Sequence, residues 1–473
     1  MSRRYLAIDL GAESGRAMLA SLAGKKIELQ EIHRFLNTPV NLPSGLYWDS
    51  FRLFHEICEG LRTAAKEADR IDGIAIDTWG VDFGLLGPDG ALIENPRHYR
   101  DRRTHAIGES LFRELPREEI FAETGIQFME LNSLYQLYAI QKQNPWLLER
   151  ASKLLFMPDL LTYFLTGVQC SERTIASTSQ FYNPRTRAFT TDMLRKLGIT
   201  AGFLAELVDP GTPLGPVLPL VAEQCRLQHD TQVYTTGGHD TAAAVAAVPA
   251  GSGDNWCYIS SGTWSLMGLE LDHPVINSES LAANVTNEAG VGGKIRFLKN
   301  IAGLWLLQEC RRAWAKEGQD FSYAQLMEQA AAAKPSSTVL DLDAFYTPGH
   351  HPERIQDFCR NTEQEVPQDT GSICRVILYS LAVRYREVLA ILERLSGRKI
   401  EVIHIVGGGS RNNLLNQLAA DVTGRKVIAG PSEATAAGNA LTQALGAGDV
   451  ASLEELREIV RQSFEVEEFL PRH

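Results

Sequence analysis

Asp9-Leu10-Gly11-Ala12-Glu13-Ser14-Gly15-Arg16 joins one apolar run, Tyr5 to Leu10, to a second, Arg16 to Leu22. Two apolar runs separated by a glycine turn predict strand, turn and returning strand. Glycines at such a turn free backbone N–H groups to point at an anion, and Ser14 adds a hydroxyl donor. Asp9, at the end of a buried strand, suits a magnesium ion held directly or through water. The plainer alternative is an ordinary β-hairpin carrying a surface serine.

Outward from this stretch, Ile27 to Phe35 reads as a third strand after the turn Ala23-Gly24-Lys25-Lys26. A helix is expected from Phe51 to Ala68, short strands over Ile74 to Asp77 and Val81 to Leu86, and several helices between Ala106 and Leu165. Near residue 246 the pattern restarts, with Gly251-Ser252-Gly253 as flexible punctuation. Trp256 to Ser260 is a strand, Ser261-Gly262-Thr263 a tight turn and Trp264 to Glu270 a returning strand. A long helix from Ile373 to Leu395 stops at Gly397. A strand follows over Ile400 to Val406, then a helix from Asn412 to Val422 and a strand over Val427 to Ala429. Two halves that open alike predict a duplicated α/β architecture, divided into 1–245 and 246–473, with a cleft between the lobes.

Composition narrows the function. Of 473 residues, 44% are hydrophobic and 22% charged, enough for sizeable cores, and the net charge of -12 with pI about 5.5 argues against nucleic acid or an anionic membrane as partner. The apolar start at Tyr5 is too short for a secretory h-region, and no stretch is apolar enough for a spanning helix. Seven cysteines without CxxC spacing predict free thiols in a reducing compartment, and Cys359 with Cys374 are the two whose placement would permit pairing.

Further constellations carry chemistry. Ser260-Ser261-Gly262-Thr263-Trp264-Ser265 repeats the logic of the opening turn, so that two hairpins, one from each half, would close on one triphosphate. Val406-Gly407-Gly408-Gly409-Ser410 lies between a strand and a helix, where glycines allow close approach of a ligand or simply a tight turn. Gly237-Gly238-His239-Asp240-Thr241 precedes an alanine-rich helix. Asp240 falls at the N-cap position, where the dipole favours the anion, and an ionised carboxylate there can accept a proton from a hydroxyl. Asp77-Thr78-Trp79-Gly80-Val81-Asp82, with Tyr99-Arg100-Asp101, offers aromatic and carboxylate groups suited to a polyol, or a core tryptophan with loop aspartates. Lys299 to Gln308 reads as a helix with Ile301, Leu304 and Trp305 facing the core, Asn300 and Gln308 being polar. No P-loop, protein-kinase or zinc pattern is present.

In these segments, and in Gly125-Ile126-Gln127-Phe128, Met157-Pro158-Asp159 and Leu414-Leu415-Asn416-Gln417, the chain resembles the FGGY carbohydrate kinases over nearly its whole length and in the same order. Within that family the likeness is greatest to the branch acting on L-rhamnulose. The resemblance implies an actin-like ATPase fold of two ribonuclease-H-like domains with an interdomain cleft. It implies Asp240 as proton acceptor, with Gly80, His239, Thr241 and Asn300 at the sugar. Around ATP it implies Ala12, Glu13, Ser14, Gly15, Arg16, Thr263, Gln308, Gly407, Gly408 and Gly409, with Mg2+ near Asp9. It further implies a cytoplasmic monomer or homodimer that transfers phosphate from ATP to the 1-hydroxyl of L-rhamnulose. The competing readings are a kinase of L-fuculose, xylulose or glycerol, and a non-catalytic actin-like nucleotide-binding protein.

Overall fold

Tyr5 to Ile8 and Leu10 are the buried part of the first strand because nothing polar interrupts them until Asp9, and each is 0–1% exposed. The computed structural model describes residues 2–251, 253, 255–345 and 349–472, so Ser252 of the expected junction lies outside it. Arg3–Leu10 pairs antiparallel with Ser14–Ala23 and parallel with Gly73–Thr78, in register Asp9 to Arg16 and Asp9 to Asp77. Lys26–Leu36 closes one side of this sheet, while Gln232–Tyr234 and Pro213–Pro216 extend the other. The second half repeats the plan. Trp256–Ser261 pairs antiparallel with Ser265–Leu271 and parallel with Val402–Val406, which in turn pairs with Lys426–Ala429.

The described residues form two compact units. The first comprises 1–249, 270–297 and 434–463; the second comprises 250–269, 298–433 and 464–473. The chain thus returns to its first unit near the end, through the Ala434–Ala447 helix. This helix packs on Asp240–Ala246, and small side chains let the two come unusually close. A Cβ at Gly438 would stand 1.8 Å from the Ala243 carbonyl oxygen, and one at Gly446 would stand 2.1 Å from that of Gly211. The same helix reaches the sheet by hydrogen bonds. Asn439 Nδ2 donates to Asp77 Oδ2 at 2.6 Å, and Gln443 Nε2 donates to the Leu6 carbonyl at 3.1 Å.

Two sequence expectations need correction. Lys299 to Gln308 is not one helix: Lys299 to Ile301 end a strand, and the helix starts only at Trp305. The chain turns at Gly303, where a Cβ would come within 2.6 Å of Ser265 Oγ and the Trp264 carbonyl carbon, so only glycine passes. Asp240 is the first helical residue, and His239 occupies the N-cap. All seven cysteines, Cys359 and Cys374 among them, are buried and free. Among the described residues no helix is long and apolar enough to cross a membrane.

The helix contact at Gly438 yields a test. Gly438→Val is expected to destabilise the protein by about 1–3 kcal/mol in denaturant titration, because the added methyls have no room. Catalytic rate should fall with it, since the displaced neighbour carries Asp240.

Candidate active site

Glu172 organises the loop that leads to Asp240. It is 2% exposed and accepts four hydrogen bonds. Thr174 N–H donates to Oε1 at 2.8 Å; Thr174 Oγ1, Ile175 N–H and Gly238 N–H donate to Oε2 at 2.6, 3.1 and 3.0 Å. The His239 amide in turn donates to Thr174 Oγ1 at 3.3 Å. Burial raises the Glu172 carboxyl to about 7 against the pull of those donors. Both glycines of the loop are forced: a Cβ at Gly238 would lie 2.7 Å from Glu172 Oε2, and one at Gly237 would lie 2.7 Å from the Ala243 nitrogen. Behind Glu172 stands Asp159, which accepts from the Glu172 amide at 3.0 Å and is held well above the usual carboxylate range by burial and by its neighbour Glu172.

Asp240 emerges from this frame with a partly exposed carboxylate, 31% accessible at its side chain. Thr241 N–H and Oγ1 donate to its Oδ1 at 2.5 and 3.1 Å. His239 Nε2 lies 3.4 Å from the same oxygen, and the other ring nitrogen, Nδ1, lies 3.2 Å from Glu288 Oε2. Arg296, fully buried, brings Nη2 to 3.0 Å from Glu288 Oε2 and 3.1 Å from His239 Nδ1, while its Nε donates to the Ala289 carbonyl at 3.0 Å. The result is a row of acid, imidazole, acid and guanidinium that runs from the partly exposed Asp240 to the fully buried Arg296. Burial would push Glu288 up, but Arg296 and His239 outweigh it and keep this carboxyl low. For Asp240 burial wins: its carboxyl is raised, opposed by His239 and Thr241 and reinforced by the charge of Asp9. The helix start was expected to favour the anion; burial outweighs that pull and raises the carboxyl above its usual value.

Asp9 and Asp77 occupy neighbouring strands at one register position. Arg16 Nε and Nη2 donate to Asp9 Oδ2 at 3.0 and 2.7 Å. Asp77 is raised well above the usual range by burial and then by Asp9, with Asp240 adding to it and the Asn439 hydrogen bond opposing. One oxygen of Asp77, Oδ1, is buried without a hydrogen-bond partner among the described residues. At the turn itself, the Gly11 amide donates to the Ser14 carbonyl at 2.9 Å and the Asn37 amide to the Glu13 carbonyl at 2.9 Å. Ala12 and Ser14 are half-buried and Glu13 is exposed. Gly15 has a packing reason, since a Cβ there would meet Phe35 at 2.3 Å and Leu10 at 2.6 Å.

Beside Gly80, Asp82 is fully buried and gathers aromatic rings. Trp48 and Trp79 donate their indole N–H groups to Oδ2 at 2.6 and 3.0 Å, the Tyr99 amide donates to the same oxygen at 3.1 Å, and Gln136 donates to Oδ1 at 2.9 Å. Trp48 lies 4.0 Å from Trp79 and 4.1 Å from His98, centroid to centroid. Val81 adopts φ of 70°, a conformation that a β-branched residue avoids. Its amide donates to Thr178 Oγ1 at 3.1 Å and its carbonyl accepts from Ser133 Oγ at 2.5 Å, which holds the strained turn from both sides. Asp101 is absorbed structurally: it accepts from the Arg103 and Leu46 amides.

In the second unit, Thr263, Gln308 and the three glycines gather at one hairpin turn. Gln308 Nε2 donates to Thr263 Oγ1 at 3.2 Å, and the Trp305 amide donates to the Thr263 carbonyl at 3.0 Å. The glycines differ in purpose. Gly407 takes φ of 82°; a Cβ at Gly409 would lie 2.1 Å from Ser261 Oγ; one at Gly408 would meet nothing within 4 Å. Only Gly408 keeps its face open to a ligand. Asn300 sits near the end of the Ile295–Ile301 strand, in the part from Leu298 onward that belongs to this unit.

Glu172 escaped the sequence reading, although the hydroxyl-rich run Thr174 to Ser179 beside it was a visible signal, and Asp159 entered it only within the segment Met157-Pro158-Asp159, with no role. Glu172→Gln presents an amide N–H to a site built of donors, so a loss of about 1–3 kcal/mol is expected in unfolding experiments. A lower kcat should accompany it.

Residues 4–247 match the N-terminal domain of the FGGY family of carbohydrate kinases, and residues 257–447 match its C-terminal domain. A protein named rhamnulokinase from Bacteroides thetaiotaomicron is 44% identical over 474 residues, covering 100% of this chain and 96% of its own. The rhamnulokinase of Bacillus subtilis is 38% identical over 473 residues, covering 99% and 95%. The fold matches xylulose kinase from Lactobacillus acidophilus with a TM-score of 0.80 at 14% identity over 99% of this chain and 94% of that one. It matches Plasmodium falciparum glycerol kinase with ADP at 0.79 and 16%, over 100% and 94%. These structural neighbours carry the expected actin-like two-domain ATPase fold, and with both domains and whole-length relatives matched, the chain belongs to the FGGY family of carbohydrate kinases.

Proposed function

We propose that this ATP-dependent sugar kinase phosphorylates L-rhamnulose at its 1-hydroxyl, giving L-rhamnulose 1-phosphate and ADP. The acceptor is supported by relatives named rhamnulokinase that are 37–44% identical over at least 98% of the chain. The observation that carries the chemistry is Asp240, a partly exposed carboxylate raised by burial and braced by His239, Glu288 and Arg296. A base of raised basicity takes the proton of the 1-hydroxyl as its oxygen forms a bond to the γ-phosphorus and the bond to the bridging oxygen of ADP breaks. Thr241 and His239 hold the carboxylate in place while it does so. Trp79 beside Gly80, backed by the fully buried Trp48, offers the sugar an apolar face, and Asn300 supplies a further polar contact. Ala12 to Arg16, Thr263, Gln308 and the open face of Gly408 hold the nucleotide.

A magnesium ion fits the acidic residues. Asp9 and Asp240 both raise Asp77, Asp9 also raises Asp240, and among the described residues Asp77 keeps one oxygen unpartnered. Among the described residues no group of three or more acid, histidine or cysteine side chains forms a metal cage by itself, which suits an ion bound chiefly through phosphates and water. Asp9 would hold it, and it would neutralise charge on the phosphates. The reading divides the chain functionally near residue 246 and makes it a cytoplasmic enzyme, monomeric or homodimeric, in keeping with seven buried free thiols.

Asp240→Asn is expected to lower kcat by about 10²–10⁴-fold; turnover near that of the unaltered enzyme would refute its role. In an ADP-release assay over L-rhamnulose, L-fuculose, xylulose and glycerol, L-rhamnulose should give the highest kcat/KM. A higher value on another acceptor would overturn the substrate and leave the kinase standing.

A further inference from the structure

A cavity of about 390 Å³ opens in the first unit among residues that the reaction does not use. Four cationic side chains line it, Arg173, Arg185, Arg187 and Lys294, beside one lining carboxylate, Asp272. The chain as a whole carries -12, so this concentration of positive charge runs against its surroundings. Its cations are only partly neutralised. Arg173 and Arg187 share the single oxygen Asp209 Oδ1, at 2.7 and 2.6 Å, and Lys294 meets Asp272 at 2.7 Å. Arg185 spends its guanidinium on neutral partners, the Ala122 and Ile276 carbonyls at 2.8 and 3.3 Å.

The wall is also built rather than loose. Asn183 Oδ1 accepts from the Arg185 and Thr186 amides at 2.9 and 3.2 Å and so fixes the turn that carries both arginines. Arg187 adopts φ of 56°, an uncommon conformation for a residue with a side chain. Arg173 Nη1 donates to the Arg187 carbonyl at 2.6 Å and holds that conformation in place. Fixed guanidiniums grip pairs of oxyanion oxygens, and a multiply charged phosphate gains more from several cations at once than a single carboxylate does; the volume admits a monosaccharide carrying such a group.

We propose that this pocket binds a phosphate group, as free phosphate or on a small sugar, at a site separate from the phosphoryl-transfer residues. The site adjoins the catalytic row through Ala289, which lines the pocket and whose carbonyl accepts from Arg296.

Calorimetric titration of the full-length enzyme, saturated with a non-hydrolysable ATP analogue, tests the proposal without depending on the identity of the acceptor. The probes are fructose 1-phosphate, inorganic phosphate and unphosphorylated fructose. Either phosphate probe should bind, fructose should not mimic it, and Arg185→Gln/Lys294→Gln should weaken binding by about tenfold or more while kcat is retained. Tighter binding of fructose 1-phosphate than of inorganic phosphate identifies the ligand as a phosphorylated sugar; equal binding identifies free phosphate. Lys294→Glu, which leaves the Arg185 carbonyl contacts intact, should weaken binding in the same way. The proposal is overturned if neither phosphate binds, or if binding is indifferent to both variants.

Discussion

A carboxylate can serve as a base at neutral pH only if it is both poorly solvated and held still, and these demands conflict. Poor solvation costs free energy, and a buried charge left alone becomes neutral or moves. The first unit resolves the conflict with a second carboxylate. Glu172 takes up the amide of Gly238 and the hydroxyl that accepts from the His239 amide, and so ties down the loop before Asp240. The alanine-rich helix starting at Asp240 is then clamped by Ala434–Ala447, which no bulkier pair of surfaces would permit. Residues far apart in the chain thus converge on the placement of a single oxygen.

Charge is distributed unevenly around that oxygen. On one side the charge of Asp9 raises Asp240; on the other, the imidazole of His239 faces it and is backed by Glu288 and Arg296. The row resembles in logic the orienting acids of other proton-transfer sites, in which the distant group fixes the near one instead of reacting itself. The excess of acid over base near Asp9 is also what a nucleotide arriving with a divalent cation would relieve.

Much of the fold was legible because its strands are long apolar runs punctuated by glycine. Tyr5 to Leu10 and Trp256 to Ser260 needed no tertiary information, and the matched hairpins exposed the duplication. Lys299 to Gln308 misled because apolar positions at 301, 304 and 305 fit a helix, while the decisive fact, the crowding of Gly303 by Trp264 and Ser265, is a contact across sequence. The return of residues 434–463 to the first unit was illegible for the same reason, since an alanine- and glycine-rich helix does not announce its partner. At the site, Asp240 was visible through its glycine-rich approach. Glu172, Glu288 and Arg296 were not, because a buried acid and its partner look like any surface pair until the sheet brings them together. The motif holding Asp82 read either as a group for a polyol or as a core tryptophan with loop aspartates; the hydrogen bonds of Asp82 go to Trp48, Trp79, Gln136 and the Tyr99 amide.

The central claim is that desolvation, opposed by His239, sets the basicity of the residue that accepts the proton. The pH profile of kcat/KM for the sugar reports ionisations of the free enzyme and addresses this directly. The account predicts an acid limb that lies above the ordinary aspartate value of 3.8 and is missing from the residual activity of Asp240→Asn. An acid limb at the ordinary value, or one that persists unchanged in that variant, would contradict it.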